Sequence, residues 1–398
     1  MAQCRLITLS ASERAMKVQE IILKAMSGQI NWCQAAQILG FSARHLRRLK
    51  RNYEEFGYDG LYDRRRQLPS PRKIPMETAQ KVLRLYRQEY FDFNMRHFHE
   101  EIREKHEISL SYSWTRGLLQ GAGLVLKSKK RGQYHRRRQR RPMTGMLLHL
   151  DGSTHRWFDH TEDERQDLLS VVDDATSECL GAIFVPQEGT RPILELLSSV
   201  VRKHGTFISL YTDRAGHFVY TPKAGGPPDR SKKTQIERVL DELGIELIVA
   251  KSPEARGRSE RAFGTMQGRL VPELRRAQVQ SYAEANRYLQ EVFIPKYNRC
   301  FGVPSTEAGS AFIPVVGANL DRIFAIRHER TVGKDNTVQL DGRVLQLPKI
   351  EGVSTLARRK VEVREHLDGK LEVLSGKRLL SSFDSGAAHE ATGLLCLA

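Results

Sequence analysis

Apolar residues recur at helical spacing through most of the first 120 residues. From residue 13 to 27 they lie three or four positions apart, which predicts an amphipathic helix. A second helix is expected to end at a tight turn at Gly40, and Ser42 is placed to cap a third helix. In that third helix Leu46 and Leu49 can face inward, and the outward positions are basic: Arg44, Arg47, Arg48 and Arg51.

Two helices joined by a tight turn, the second of them basic, predict a helix-turn-helix unit. In such units the second helix enters the major groove of DNA. The local pattern leaves one alternative open, an ordinary helical hairpin with a solvated basic face. A proline-rich linker follows, and a second helical unit is predicted up to residue 126, with Ser111 capping its last helix. We expect three aromatic residues to pack in the core of this second unit: Phe91, Phe93 and Trp114.

From residue 145 the pattern changes to short apolar strands that alternate with helices. The strands are predicted at 146–150, 168–172, 180–185, 207–211 and 245–249, and the main helices at 193–201, 234–243 and 254–275. This order predicts an α/β domain with a mixed five-stranded sheet and helices on its faces. The first three strands would be antiparallel and the later ones parallel.

After residue 312 the chain becomes a series of short alternating strands. Two Asp-Gly pairs, at Asp341 and Asp368, lie between alternating apolar residues and predict β-hairpins. We expect a small all-β barrel from residue 313 to 384, followed by a loose tail from 385 to 398. Its arginines and lysines suggest contacts with a nucleic-acid backbone, although a merely solvated barrel is the alternative.

The charge of the chain indicates what kind of partner it binds. The chain has 398 residues, a net charge of +17 and a pI near 9.7, which favours a polyanionic partner. Nine of the fifteen residues from 127 to 141 are Lys or Arg, so this segment is expected to be an extended linker that can follow a DNA backbone through Arg136, Arg137 and Arg138. The five scattered cysteines lack zinc-ligand spacing, and neither a signal peptide nor a membrane-spanning run is apparent. We therefore expect a cytoplasmic protein without a membrane partner.

Three acids stand where a metal-dependent reaction on phosphodiesters needs them. Asp151 and Asp213 each end an apolar strand, and neighbouring parallel strands would bring them to the same edge of the sheet. Glu260 stands near the start of the last long helix of this domain. Hard carboxylate oxygens suit Mg²⁺, and two such ions can activate an attacking oxygen and stabilise a leaving one. Asp173 and Asp174 better suit a hairpin turn, whereas three glutamates compete with Glu260 for the third position: Glu237, Glu242 and Glu254.

The motifs around these acids resemble those of DDE transposases with a retroviral-integrase-type core, and among bacterial insertion sequences those of the ISNCY group. They are His149-Leu150-Asp151-Gly152-Ser153, Tyr211-Thr212-Asp213-Arg214-Ala215-Gly216-His217-Phe218 and Ser252-Pro253-Glu254-Ala255-Arg256-Gly257-Arg258-Ser259-Glu260-Arg261. The third motif departs from the family pattern, since Glu254 and Arg256 replace the usual Gln and Lys.

The resemblance implies that Asp151, Asp213 and Glu260 bind two Mg²⁺ ions, or Mn²⁺ in their place. It also implies an RNase H-like core that cleaves DNA by hydrolysis and joins the 3′-OH ends to target DNA. The partners would be the double-stranded inverted repeats of an insertion sequence and the target DNA, bound by a homo-oligomer on paired ends near a bacterial nucleoid. Besides Arg44, Arg47 and Arg48, candidate DNA contacts are Arg256, Arg258 and Arg261. The alternatives are a DNA-binding regulator or domesticated relative without strand transfer, and a plain nuclease.

Together these features predict a multidomain protein. The expected divisions are 1–67, a helix-turn-helix domain; 68–126, a second helix-turn-helix-like domain; 127–144, a basic linker; 145–312, the RNase H-like integrase core; 313–384, the barrel; and 385–398, the tail.

Overall fold

The computed structural model describes residues 11–62, 74–127, 139–160, 162–222, 226, 229, 231–250, 257–349, 354–384 and 389–390. The chain divides into two compact units, residues 1–82 and residues 83–398. Predictions that concern residues 128–138 and 251–256, including those for Arg136, Arg137, Arg138, Glu254 and Arg256, lie outside the described residues.

The first unit contains the predicted helix-turn-helix. Its helices are α1 (Ala11–Met26), α2 (Trp32–Leu39) and α3 (Ala43–Phe56), followed by a 3-10 turn. Gly40 ends α2 in the left-handed conformation, with φ of 69°, and the Ser42 side chain accepts a hydrogen bond from the His45 amide to begin α3. Leu46 and Leu49 are buried, while all four predicted arginines on the outer side of α3 are exposed. The prediction is confirmed.

The second unit begins within α4 (Met76–Gln88) and continues with α5 (Met95–Glu104) and α6 (Tyr112–Gly121). The Ser111 side chain caps α6 as predicted, accepting a bond from the Trp114 amide. Phe93 is buried as expected, but the prediction for Phe91 is wrong, because this ring is 56% exposed. It lies instead against the guanidinium of Arg275, 4.4 Å from the ring centre.

A mixed five-stranded sheet forms the centre of this unit, as predicted. Its strands are β1 (Leu148–His155), β2 (Gln166–Asp173), β3 (Cys179–Val185), β4 (Ser209–Thr212) and β5 (Glu246–Val249). The spatial order is β3-β2-β1-β4-β5, with β1, β2 and β3 antiparallel and β1, β4 and β5 parallel. β1 runs five residues beyond its predicted end at Leu150, because residues 151 to 155 continue to pair with β2.

Helices cover both faces of this sheet. On one face, α7 (Thr190–His204) and α8 (Gln235–Glu242) pack in a core that includes Leu148 and Leu150 of β1. On the other face lie α9 (Gly257–Arg276), α10 (Tyr282–Tyr288), a π-helical turn (Leu289–Phe293) and α11 (Ile294–Phe301). Because side chains alternate along a strand, the face with α9 receives His149, Asp151 and Ser153.

The C-terminal strands follow a short helix, α12 (Leu320–Phe324), and form two antiparallel sheets. One contains β6 (Ile326–Thr331), β9 (Lys360–Glu365), β10 (Leu371–Ser375) and β11 (Arg378–Phe383). The other contains β7 (Thr337–Leu340), β8 (Arg343–Gln346) and β12 (His389–Glu390). Both Asp-Gly pairs connect strands as predicted; Asp341 and Gly342 have φ of 47° and 77°, as a tight hairpin turn requires. Neither sheet closes on itself within the described residues, so the predicted barrel is not confirmed. Closure depends on pairing between distant strands, which local alternation does not encode.

Candidate active site

Asp151 lies on β1, and Asp213 directly follows β4, the neighbouring parallel strand. The register of β1 and β4 pairs His149 with Tyr211, and each aspartate stands two residues after its member of this pair, Asp151 within β1 and Asp213 just after the end of β4. Since adjacent strands are about 4.8 Å apart and residues two apart point the same way, both carboxylates project toward the face covered by α9.

Backbone amides fix the orientation of both aspartates. Oδ1 of Asp151 accepts a 2.9 Å hydrogen bond from the amide of Gly152, and Oδ1 of Asp213 accepts one of the same length from the amide of Ala215. The first side chain is buried and the second half-buried. Two carboxylates are thus held at the carboxyl end of the parallel strands, where α/β sheets bind ligands.

Glu260 lies in the first turn of α9 and is exposed. Two turns later on the same helix, Nε2 of Gln267 donates to Oγ of Ser153 at 3.1 Å. Residues seven apart share one side of a helix, so Glu260 lies on the side of α9 that contacts β1. The competing Glu237 and Glu242 have structural partners: the first forms the capping box of α8 with Thr234, and the second pairs with arginines 238 and 327.

The acid pair at the end of β2 supports the hairpin, as predicted. The carboxylate of Asp173 accepts bonds from the amides of Gly145 and Thr176. Oδ1 of Asp174 lies 2.8 Å from Nε2 of His149, and both side chains are buried. These contacts fix the β2–β3 turn at the N-terminal end of β1, where Leu148 pairs with Asp173.

A carboxylate that the sequence motifs did not indicate lies close to Asp151, beside Gly152. Oε1 of Glu188, which follows β3, lies 2.9 Å from Nε2 of His217, although no hydrogen bond of good geometry joins them. A β-carbon on Gly152 would lie 2.5 Å from the other oxygen of Glu188, so this carboxylate occupies the space beside Gly152. The positions of Gly152 and His217 inside two of the motifs were the available signal.

A separate buried group has metal-ligand residue types but already contains a cation. One ligand atom from each of His97, Glu101 and Glu273 lies within 4.8 Å of the others. Nζ of Lys296 donates to Glu101 at 2.6 Å and to Glu273 at 2.9 Å. Because the ammonium already supplies positive charge between the two carboxylates, a metal ion there would be repelled.

Comparison with known proteins connects this geometry with a family. A family model described as a helix-turn-helix domain matches residues 19–69, and one described as a homeodomain-like domain matches residues 45–119. A putative transposase of Sinorhizobium fredii is 30% identical over 367 residues, which cover 92% of this chain and 79% of the relative. The chain belongs to this family of transposases.

A second transposase relative is more distant. The transposase for insertion sequence IS1202 of Streptococcus pneumoniae is 27% identical over 317 residues, 71% of this chain and 67% of the relative. Among solved structures, a chain of the simian T-cell lymphotropic virus intasome has 12% identity and a TM-score of 0.32, covering 79% of this chain and 99% of its own. The finer resemblance to the ISNCY group stays a prediction.

Four of the arginines predicted to contact DNA are exposed on helices of the structure. Arg44, Arg47 and Arg48 are exposed on α3, and Arg261 is exposed on the first turns of α9. The side chain of Arg258 is outside the described part of the structure. None of the helices in the described residues combines the length and the apolar composition that a membrane span requires.

Proposed function

We propose that this transposase is a DDE-type polynucleotidyl transferase in which Asp151, Asp213 and Glu260 bind divalent metal ions. The register of β1 and β4 is the observation that carries the proposal, because it brings two aspartates from distant positions to one edge of the sheet. The contact between Gln267 and Ser153 supports the third member, since it lays the side of α9 that carries Glu260 against the same face.

The residues fit Mg²⁺ by donor chemistry. Carboxylate oxygens are hard ligands, and a site built from only three side chains leaves room for water and phosphate oxygens. The backbone bonds from Gly152 and Ala215 orient the two aspartates in advance. A bound pair of Mg²⁺ ions, or Mn²⁺ in their place, would polarise the attacking oxygen and stabilise the leaving one.

Basic residues elsewhere in the chain would bind the DNA and position it. The arginines of α3 would read base edges of the terminal inverted repeats, since their guanidinium groups can donate to guanine O6 and N7. Arg136, Arg137 and Arg138, with Arg256, Arg258 and Arg261, would contact phosphates and position the DNA end. The same carboxylates would serve hydrolysis at the end and the attack of the freed 3′-OH on target DNA, within a homo-oligomer on paired ends.

A nicking assay on oligonucleotides that carry the element's ends tests this proposal. We expect Mg²⁺-dependent cleavage by the wild type and loss of at least ~100-fold in Asp151→Asn and Asp213→Asn, because uncharged amides bind hard cations poorly. Asp159→Asn is the matched control: this exposed acid follows β1 and pairs only with Arg156 within the described residues. Equal activity in Asp213→Asn and Asp159→Asn would contradict the proposal. Mg²⁺-dependent thermal stabilisation, present in the control and absent from both site variants, gives a second readout.

A further inference from the structure

Helix α5 of the second helical unit contacts α9 along much of its length through polar side chains. Nδ2 of Asn94 donates to the carbonyl of Gly268 at 2.9 Å. The guanidinium of Arg269 donates to both oxygens of Glu100, at 2.6 and 3.2 Å. Near the end of α9, Arg275 makes the same two-bond contact with Asp92, at 2.8 and 2.7 Å.

A buried group of charges lies at the centre of this contact. Nε2 of His97 is 2.7 Å from Glu273, and Lys296 of α11 donates to both Glu273 and Glu101. Burial opposes ionisation of Glu273, but the hydrogen bond from His97 and the charge of Lys296 outweigh it and lower the pKa of this carboxyl to about 2. The hydroxyl of Tyr288 donates to the second oxygen of Glu273 at 2.9 Å. We call His97, Glu101, Glu273 and Lys296 the α5–α9 cluster.

Such a group contributes to alignment more than to net stability. Removing charges from water costs several kcal/mol per ion, which the mutual attraction repays only in one good geometry. An apolar interface tolerates sliding, whereas these bonds are lost when α5 shifts along α9. The α5–α9 cluster therefore specifies one arrangement of the two helices.

We propose that the α5–α9 cluster positions the second helix-turn-helix unit relative to Glu260, so that DNA held by α6 reaches the active site at a set distance. This inference rests on the proposed function, because it takes Glu260 as a catalytic residue. Two observations support it: α5 and most of α6 lie within the homeodomain-like match, and α9 carries both Glu260 and Glu273. The four side chains are positioning residues, since they act through α9 and do not themselves contact DNA.

An apolar replacement of the whole cluster separates alignment from stability. The variant is His97→Phe, Glu101→Met, Glu273→Met, Lys296→Met and Tyr288→Phe, which removes the four cluster groups together with the hydroxyl that donates to Glu273. Lys105 and Arg276, which also pair with Glu101, are partly exposed, and Arg276 keeps its contact with Glu89. We expect a Tm equal to or above that of the wild type and an unchanged Kd for terminal DNA. Single-turnover cleavage should fall on the order of 10–100-fold, since a displacement of about 1 Å far from the chemistry has that effect. A well-folded variant that cleaves at the wild-type rate would overturn the proposal.

A pair at the edge of the contact gives a test that does not depend on the buried core. Arg275 and Asp92 are partly exposed, so reversing their charges costs little stability. We expect Asp92→Arg and Arg275→Asp each to slow cleavage and the double variant to restore most of the rate. Silent single variants, or a double variant as slow as the two single effects combined, would count against positioning.

Spin labels give a readout independent of catalysis. With Cys4, Cys33, Cys300 and Cys396 replaced by Ser, labels at Ser113→Cys on α6 and Gly264→Cys on α9 report the distance between the two helices. We expect a narrow distribution in the otherwise unaltered protein and a broad one in the apolar variant. A broad distribution with the cluster intact would refute the alignment itself. By contrast, an unaltered distribution with full activity in Glu260→Gln would refute the proposed function only.

Discussion

Acid should selectively weaken the contact between α5 and α9, and the ionisation of Glu273 sets the size of the effect. Its pKa is about 2 in the folded protein against an ordinary value of 4.5. The difference of about 2.5 pH units corresponds, at 1.36 kcal/mol per unit, to about 3 kcal/mol of folding free energy. Because the pKa is lower in the folded state, this contribution is fully present above pH 4.5 and is lost as the pH falls toward 2.

Comparing the wild type with Glu273→Gln isolates this group from the other titrating residues. Gln preserves the shape but leaves Lys296 without one of its two ionised partners, so the free energy of unfolding should fall by about 3 kcal/mol at pH 7. At pH 3 the difference should be smaller by about 2 kcal/mol, because most of the stability that the ionised Glu273 contributes to the wild type is lost between pH 4.5 and pH 3.

Urea unfolding of both proteins between pH 7 and pH 3 measures the difference. Changes at carboxyl groups distant from the α5–α9 cluster affect both proteins and cancel in it. A difference between the two proteins that stays the same at pH 7 and pH 3 would refute the assignment of Glu273 as an ionised member of the α5–α9 cluster.

Three further predictions concern DNA and the sheet edge. Replacing the linker residues Arg136, Arg137 and Arg138 by Ala should reduce the slope of log K against log salt by up to ~3 and weaken binding to random and specific DNA alike. Filter-binding titrations measure this slope, and an unchanged slope would show that the segment does not contact DNA. Replacing Arg44, Arg47 or Arg48 of α3 by Ala should cost about 1–3 kcal/mol of binding free energy on the inverted repeat and little on random DNA, as measured by the Kd for each. Equal losses on both would assign α3 to backbone contacts only. Gly152→Ala should change Tm little, because the tip of the Glu188 side chain can move away from the added methyl group. The same movement displaces that carboxylate beside Asp151 and should slow Mg²⁺-dependent cleavage. Unaltered cleavage would show that the placement of Glu188 has no role in the reaction.

Local signals in the sequence were sufficient for the elements that local chemistry determines. Gly40 and Ser42 predicted the turn of the helix-turn-helix because a left-handed residue and a side-chain cap are needed there. The two Asp-Gly pairs predicted their hairpins for a similar reason. Apolar runs ending in Asp151 and Asp213 predicted the sheet edge, since the strand order brings parallel strands together.

Features that depend on distant pairing were beyond the sequence pattern. Glu101, Glu273 and Lys296 are residue types typical of a solvated helix surface. The burial of the two glutamates, and the half-buried position of Lys296 beside them, arise only where α5, α9 and α11 meet. Phe91 was expected in a core for its apolar ring, yet it packs on the outside against Arg275. The contact of Glu188 with His217 joins segments 29 positions apart in the sequence, and only the place of His217 inside a motif hinted at it.

The most direct test of the central claim is a strand-transfer assay with pre-cleaved 3′-OH ends and a plasmid target in Mg²⁺. Glu260→Gln preserves shape but removes a negative charge that a hard cation needs, so the variant should fold, bind terminal DNA with wild-type Kd and lose both hydrolysis and strand transfer. The double variant with Asp151→Asn should be no worse than either single variant, since residues that act as a unit are not additive. Glu254→Gln is the matched control and should retain most of the activity. Strand transfer that survives Glu260→Gln and disappears in Glu254→Gln would show that the third carboxylate has been assigned to the wrong residue.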